Sequence, residues 1–189
     1  MKSQYIFISF ISLLLVSCGG SKNLVKEIPT SIPNVVEVIT PCSGVKYASN
    51  NKFFRGTASA VSRSMNTSKT RASLNANVAL AGDIKVLIAS VSEEYTKESQ
   101  VNDGFNFGQI FESLAEQVIE ESISNSYTSC EELTRDTSTG LYTTYITREV
   151  EADKFLSNII KEIDKNDQLK LEYDKEKFKD IFNKRLDRN

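Results

Sequence analysis

The stretch from Lys52 to Tyr95 constrains the fold more than any other part of the chain. Lys52 to Ser62 reads KFFRGTASAVS. In a strand, Phe54, Gly56, Ala58 and Ala60 share one face, and Phe53, Arg55, Thr57, Ser59 and Val61 share the other. A face built of glycine and alanine suits the close approach of a helix. The residues that follow supply one. Ser64 to Ser68 is rich in helix-capping types, and Ala72, Ala76, Ala79 and Leu80 recur at helical spacing. The stripe continues through Ile84, Leu87, Ile88, Val91 and Tyr95, predicting one long helix from about Asn66 to about Glu98. Gly82 leaves a second reading open, because glycine inside a helix costs ~1 kcal/mol. On that reading the helix ends at Gly82 and Lys85 to Tyr95 forms a strand.

The rest of the chain divides in the same way. Val101 to Gly104 is a loop. Phe107 to about Ser124 predicts a second helix with Phe107, Ile110, Phe111, Leu114, Val118, Ile119 and Ile123 inward, and with Glu112, Glu116 and Glu120 on a solvated stripe. Tyr127 to Asp136 and Leu141 to Val150, rich in Thr and Tyr, form a hairpin around Thr137-Ser138-Thr139-Gly140. Asp153 is placed to cap a third helix carrying Phe155, Leu156, Ile159, Ile160 and Ile163. A short extended piece with Leu169, Leu171 and Tyr173 follows. Asp174 caps a last helix with Phe178, Ile181, Phe182 and Leu186 on one side. The expected fold class is α+β: an antiparallel sheet of about three strands, with a long helix and further helices on one face, in the order β-α-α-β-β-α-α.

The N-terminus carries an address. A cation, Lys2, precedes a short apolar run from Tyr5 to Val16, and small residues follow it, which describes a secretory signal peptide. The run is too short to span a bilayer, which takes ~20 residues. Leu15-Val16-Ser17-Cys18 resembles the lipobox of bacterial lipoproteins, in which the thiol receives a diacylglycerol and the signal is removed. Cys18 is accordingly the expected lipidation site. The implied organisation is a signal peptide over residues 1–17, a lipid-anchored tether over 18–41 and a single α+β domain over 42–189. The tether holds Pro29, Pro33 and Pro41, which favour an extended path. Val35, Val36, Val38 and Ile39 are too apolar for a free linker, so that part is expected to dock as an extended edge. Gly19, where an aspartate would retain a lipoprotein at the inner membrane, implies the outer membrane. The lack of an acidic cluster between Cys18 and Glu27 favours a domain facing the periplasm.

Composition removes several function classes. The 189 residues carry a net charge of −2 at pH 7. Loss of the signal peptide removes only Lys2 from the ionised side chains and makes that balance one unit more negative. Nothing is basic enough for nucleic acid, and no aromatic–basic stripe suggests stacked bases. The chain has no histidine, which eliminates Ser-His and Cys-His catalysis and the usual zinc sites within one chain. With Cys18 acylated, Cys42 and Cys130 remain as a candidate disulfide in an oxidising compartment; two separately buried cysteines are the alternative. Ser43-Gly44-Val45-Lys46 matches S-x-x-K, but beside Pro41 and Gly44 and without companion motifs it reads as chance. Asn102-Asp103-Gly104 lacks the ligands of a calcium loop. Glu131 and Glu132 adjoin on a strand and point to opposite sides, so they form no acid–base pair. No catalytic residue, metal ligand or cofactor is expected.

The unit FFRGTASAVSRSMNTSKTRASLNANVALAG, with Gly56, Ala58, Ala72 and Ala76, together with Cys18, resembles the LPP-twenty family of small bacterial outer-membrane lipoprotein antigens. The order of helix, hairpin and helix over roughly residues 50 to 165 is also similar. The resemblance implies a compact domain of dodecin-like type and a surface or envelope protein without an established enzymatic activity. The lead-in with Cys42 and the charged last helix depart from that pattern. Two functional expectations follow. The first is a non-enzymatic envelope protein, held to the membrane by its N-terminal lipid, that contacts another envelope component or forms an oligomer. The second is a periplasmic binding module for a lipid or other apolar small molecule, with a cleft between the long helix and the sheet; Phe53, Phe54, Phe105, Phe107 and Phe111 are candidates to line it, though their first reading is core packing.

Overall fold

The computed structural model describes residues 38–99, 104–171 and 173–187. Cys18 and residues 1–37 lie outside the described residues, as do residues 100–103, on which most of the expected loop from Val101 to Gly104 falls. The chain from Val38 to Asn189 forms one compact unit. Its elements run β1 (Phe53–Ser62), α1 (Met65–Ser99), α2 (Gly104–Ser124), β2 (Tyr127–Arg135), β3 (Tyr142–Glu151), α3 (Ala152–Lys165), α4 (Asp167–Leu171) and α5 (Lys175–Leu186), preceded by a 3-10 turn at Val45–Tyr47. The sheet is antiparallel with order β1-β3-β2. The α+β class and the three strands are as expected; α4 is an addition.

One helix organises the sheet. At 35 residues and 1.5 Å per residue, α1 is about 52 Å long. The Ser64 hydroxyl accepts from the Thr67 N–H at 3.4 Å and starts it. Its first half lies on β1 and β3, where Ala72 and Ala76 are buried with Ile146 and packed against Ala58 and Ala60. A β-carbon on Gly56 would collide with the Ala76 carbonyl and the Leu80 amide of α1. The small-residue face of β1 therefore exists to admit a helix backbone. Buried Ser68 shares a 2.7 Å hydrogen bond with Thr144 of β3, which satisfies both hydroxyls within this seam.

The second half of α1 carries larger side chains into a helical core. Leu80, Ile84, Leu87, Val91 and Tyr95 are buried with Phe107 and Phe111 of α2, Phe155 and Ile159 of α3, and Phe178 and Phe182 of α5. Tyr95 stacks on Phe107 with ring centroids 5.4 Å apart, and its Oη accepts the Asp174 N–H at 2.6 Å. Asp174 in turn accepts the Lys177 N–H and caps α5, as its position predicts.

The long helix is as expected: Lys85 to Tyr95 is helix, because α1 passes through Gly82 with Leu80 and Ile84 buried on either side of it. Three readings are corrected. Asp153 lies in the first turn of α3 but does not cap it; Glu151 holds the N-cap position without a side-chain bond. The Ala152 N–H instead donates to the Lys52 carbonyl at 2.9 Å, since β3 runs directly into α3. The piece around Leu169 is the short helix α4, begun by the Asn166 side chain accepting from the N–H groups of Gln168 and Leu169. Its apparent alternation reflects one buried residue, Leu169, and one exposed, Leu171. Finally, Val38 and Ile39 do not dock; they stand 81% and 88% exposed.

Candidate functional site on the outer face of the sheet

The face of the sheet opposite α1 carries the alternate residues of each strand. Register sets Arg55 of β1 opposite Glu149 of β3, and Tyr127 of β2 opposite the same Glu149 on its other side. Glu149 is 4% exposed and accepts from both the Arg55 Nε–H and the Tyr127 hydroxyl. A buried carboxylate demands such partners, since an uncompensated buried charge is costly. Arg55 also donates through Nη1 to the Ala48 carbonyl at 2.8 Å. The Tyr127 phenol is pushed up to about 12 by partial burial first and by the Glu149 carboxylate next. It is therefore a hydrogen-bond donor at neutral pH rather than a base.

The lead-in crosses this face and is tied to it in sequence. The structure joins Cys42 to Cys130 by a disulfide, with their Cα atoms 5.6 Å apart. Cys130 sits beside the bulge that shifts register between Thr128 and Cys130 on β2. Cys42 is buried and adopts a φ of +54°, a left-handed conformation uncommon for a residue with a β-carbon. Its carbonyl accepts from Thr147 Oγ1 at 3.1 Å, and Thr147 shares a 2.9 Å bond with Thr57 on β1. Further along, Ser49 Oγ accepts from the Arg55 N–H at 2.9 Å. Asn50 Oδ1 closes the turn into β1 by accepting from the N–H groups of Lys52 and Phe53. The lead-in is thus fastened at Cys42, at Ser49 and at Asn50.

Beside Glu149, a cleft of about 350 Å³ opens between the ends of α2, β2 and α3. Glu121, Asn125, Tyr127, Glu149, Lys154 and Asn158 are among its lining residues. This mixture can hold ions and polar groups by hydrogen bonding. A carboxylate oxygen of Glu132 lies within 4.8 Å of the Cys42 and Cys130 sulfurs, but a disulfide has no thiolate to give a metal. Ser43 of the S-x-x-K match is exposed and donates to the Thr40 carbonyl at 2.5 Å.

Of the phenylalanines that could pack as core or line a cleft, Phe54, Phe107 and Phe111 are core, in keeping with their first reading. Phe54 meets Phe155 edge to face at 5.6 Å, Phe107 stacks on Phe111 at 6.3 Å, and Phe111 meets Phe178 at 5.5 Å. Phe53 is half-buried beneath the Arg55 guanidinium, 5.0 Å from its ring. The Phe105 side chain lies outside the described residues.

Sequence reading singled out Cys42 and Cys130 but missed Arg55, Tyr127 and Glu149 as a cluster. Arg55 was legible as an outer-face residue. Nothing local reveals which residue of a distant strand stands opposite it. Arg148 was missed for the same reason: it bonds Asn77 of α1 at 3.1 Å, Ser126 Oγ at 2.8 Å and Thr128 at 2.9 Å, joining α1, β3 and the start of β2.

No family model, curated protein or solved structure matches the chain.

Proposed function

We propose that this chain is a lipid-anchored bacterial envelope protein with a structural or interaction role at the outer membrane, its domain facing the periplasm. The observation that carries the reading is Leu15-Val16-Ser17-Cys18, an export signal ending in a cysteine placed for acylation. Several acyl chains, at ~0.8 kcal/mol per buried methylene, hold a protein to a membrane effectively for good. The fastening of the lead-in supports it. From Cys18 to Cys42 an extended chain reaches at most about 80 Å, and the disulfide fixes where that tether leaves the domain. The disulfide also suits an exported protein, because paired cysteines persist in oxidising compartments. The LPP-twenty resemblance agrees with an envelope role without catalysis. So does the composition: the chain has no histidine, which removes Ser-His and Cys-His catalysis within one chain.

The test is labelling with a radioactive fatty acid. Wild-type protein takes up label and fractionates with the outer membrane. Cys18→Ala accumulates as unprocessed, unlabelled precursor. Mature Cys18→Ala protein that still fractionates with the outer membrane rejects the anchor.

A further inference from the structure

We propose that the solvent face of α1 is a self-association surface, on which a second copy of this chain docks antiparallel with its own α1 and crosses it at Gly82. The inference rests on the fold and is independent of the lipid anchor.

Helix α1 is apolar on two sides. The side packed in the domain holds Ala72, Ala76, Leu80, Ile84 and Leu87. On the opposite side Leu74, Val78 and Val86 are 62%, 65% and 70% exposed, and together with Gly82 they fall at four-residue steps along one line of the helix. Single exposed apolar residues are ordinary, but a continuous line along one helix marks an interaction surface.

Gly82 has no explanation inside one copy. A β-carbon there would meet nothing within 4 Å, unlike Gly56, whose lack of a side chain lets α1 lie against β1. A helix-interior glycine costs ~1 kcal/mol relative to alanine. What it offers in return is close approach of another backbone, and only a second molecule can supply one here.

The charges choose the partner and its direction. Arg71 and Glu93 are exposed on this side, the same number of residues before and after Gly82. Val78 and Val86 are likewise equidistant from it. An antiparallel copy with its two-fold axis at Gly82 sets Val78 against the second copy's Val86, and Arg71 against its Glu93, twice over. A parallel copy would set Arg71 against Arg71. Arg71 has no ion pair among the described residues, and Glu93 pairs with Lys97 of its own helix at 2.5 Å, with Arg185 of α5 acting on its charge more weakly. A surface whose two halves complement each other about a point is the requirement for an isologous dimer. The stretch from Arg71 to Glu93 spans about 33 Å of helix.

The experiment introduces a cysteine at the axis of the full chain. Gly82→Cys, mildly oxidised, gives a disulfide-linked dimer on a non-reducing gel. Val61→Cys, 52% exposed on the other face of the sheet, stays at the wild-type background. Adding Arg71→Glu to Gly82→Cys lowers the dimer yield severalfold, and adding Glu93→Arg as well restores it. Both residues are exposed, so circular dichroism of these variants matches wild type. Gly82→Cys crosslinking no better than Val61→Cys overturns the proposal. So does a crosslink indifferent to the charge reversal, which would indicate random collision or docking on a lipid surface.

Discussion

Gly56 of β1 lies directly against the Ala76 carbonyl of α1, with no room between them for a β-carbon. Ala76 is itself fully buried, so strand and helix meet through their smallest side chains. This contact sets the distance between α1 and the sheet. It follows that added volume on either side destabilises the domain. Gly56→Ala forces the helix off the strand, and Ala76→Leu overpacks the same seam; each is expected to cost ~1–3 kcal/mol. Urea denaturation measures this, and midpoints equal to wild type for both variants would refute the packing argument.

The disulfide from Cys42 to Cys130 closes a sequence separation of 88. Cross-links of this kind typically stabilise by ~2–4 kcal/mol. Cys42→Ser with Cys130→Ser should lower the melting temperature. It should also open residues 40–49 to limited proteolysis before the rest of the domain. Free-thiol labelling of unreduced, denatured wild-type protein should find neither Cys42 nor Cys130; labelling of both would end the idea.

Tyr127 should titrate late among the tyrosines in alkaline solution, together with Tyr173, which burial also raises. The Tyr127 phenol is raised from 10.0 to about 12. A group whose folded value lies above its unfolded value stabilises fully below the unfolded value and loses that stabilisation as pH rises through the folded one. Stability should therefore fall between pH 10 and about 12 as the unfolded chain, but not the folded one, ionises. Absorbance titration at high pH detects both as lagging phenols. Glu149→Gln brings Tyr127 part of the way back, because burial, the larger cause, persists. A Tyr127→Phe variant that leaves the full amplitude of the lagging phase, with no phenol lost from it, would contradict the assignment.

Asp136 opens the hairpin turn. Its Oδ1 accepts from the Ser138 hydroxyl at 2.6 Å and from the N–H groups of Ser138 and Thr139 at 2.8 and 3.2 Å. These bonds, that from the Ser138 hydroxyl first, lower its carboxyl from 3.8 to about 2. Here the folded value lies below the unfolded one. The contribution is complete above pH 3.8 and is lost as pH falls towards 2. Carboxyl-carbon NMR follows this directly, and Ser138→Ala should move the titration upward. An unmoved titration in that variant would show that the hydroxyl is not the cause.

What the sequence determined by itself was most of what depends on neighbouring residues. The alternation of β1, the stripe of α1, the inward phenylalanines of α2, the hairpin turn and the Asp174 cap depend on residues a few positions apart, where side-chain spacing and backbone hydrogen bonding act directly. The tertiary structure decided what depends on distant partners. Gly82 breaks no helix because Leu80 and Ile84, on either side of it, are buried by β1 and the other helices, which outweighs its intrinsic cost. Asp153 yields the start of α3 to a hydrogen bond from Ala152 to Lys52, a residue far away in sequence. Arg55 and Tyr127 converge on Glu149 only because β3 lies between β1 and β2. A one-residue slip of either register would send those side chains to opposite faces. Register is fixed by the packing of α1 on β1 and β3, and no window of the sequence contains it.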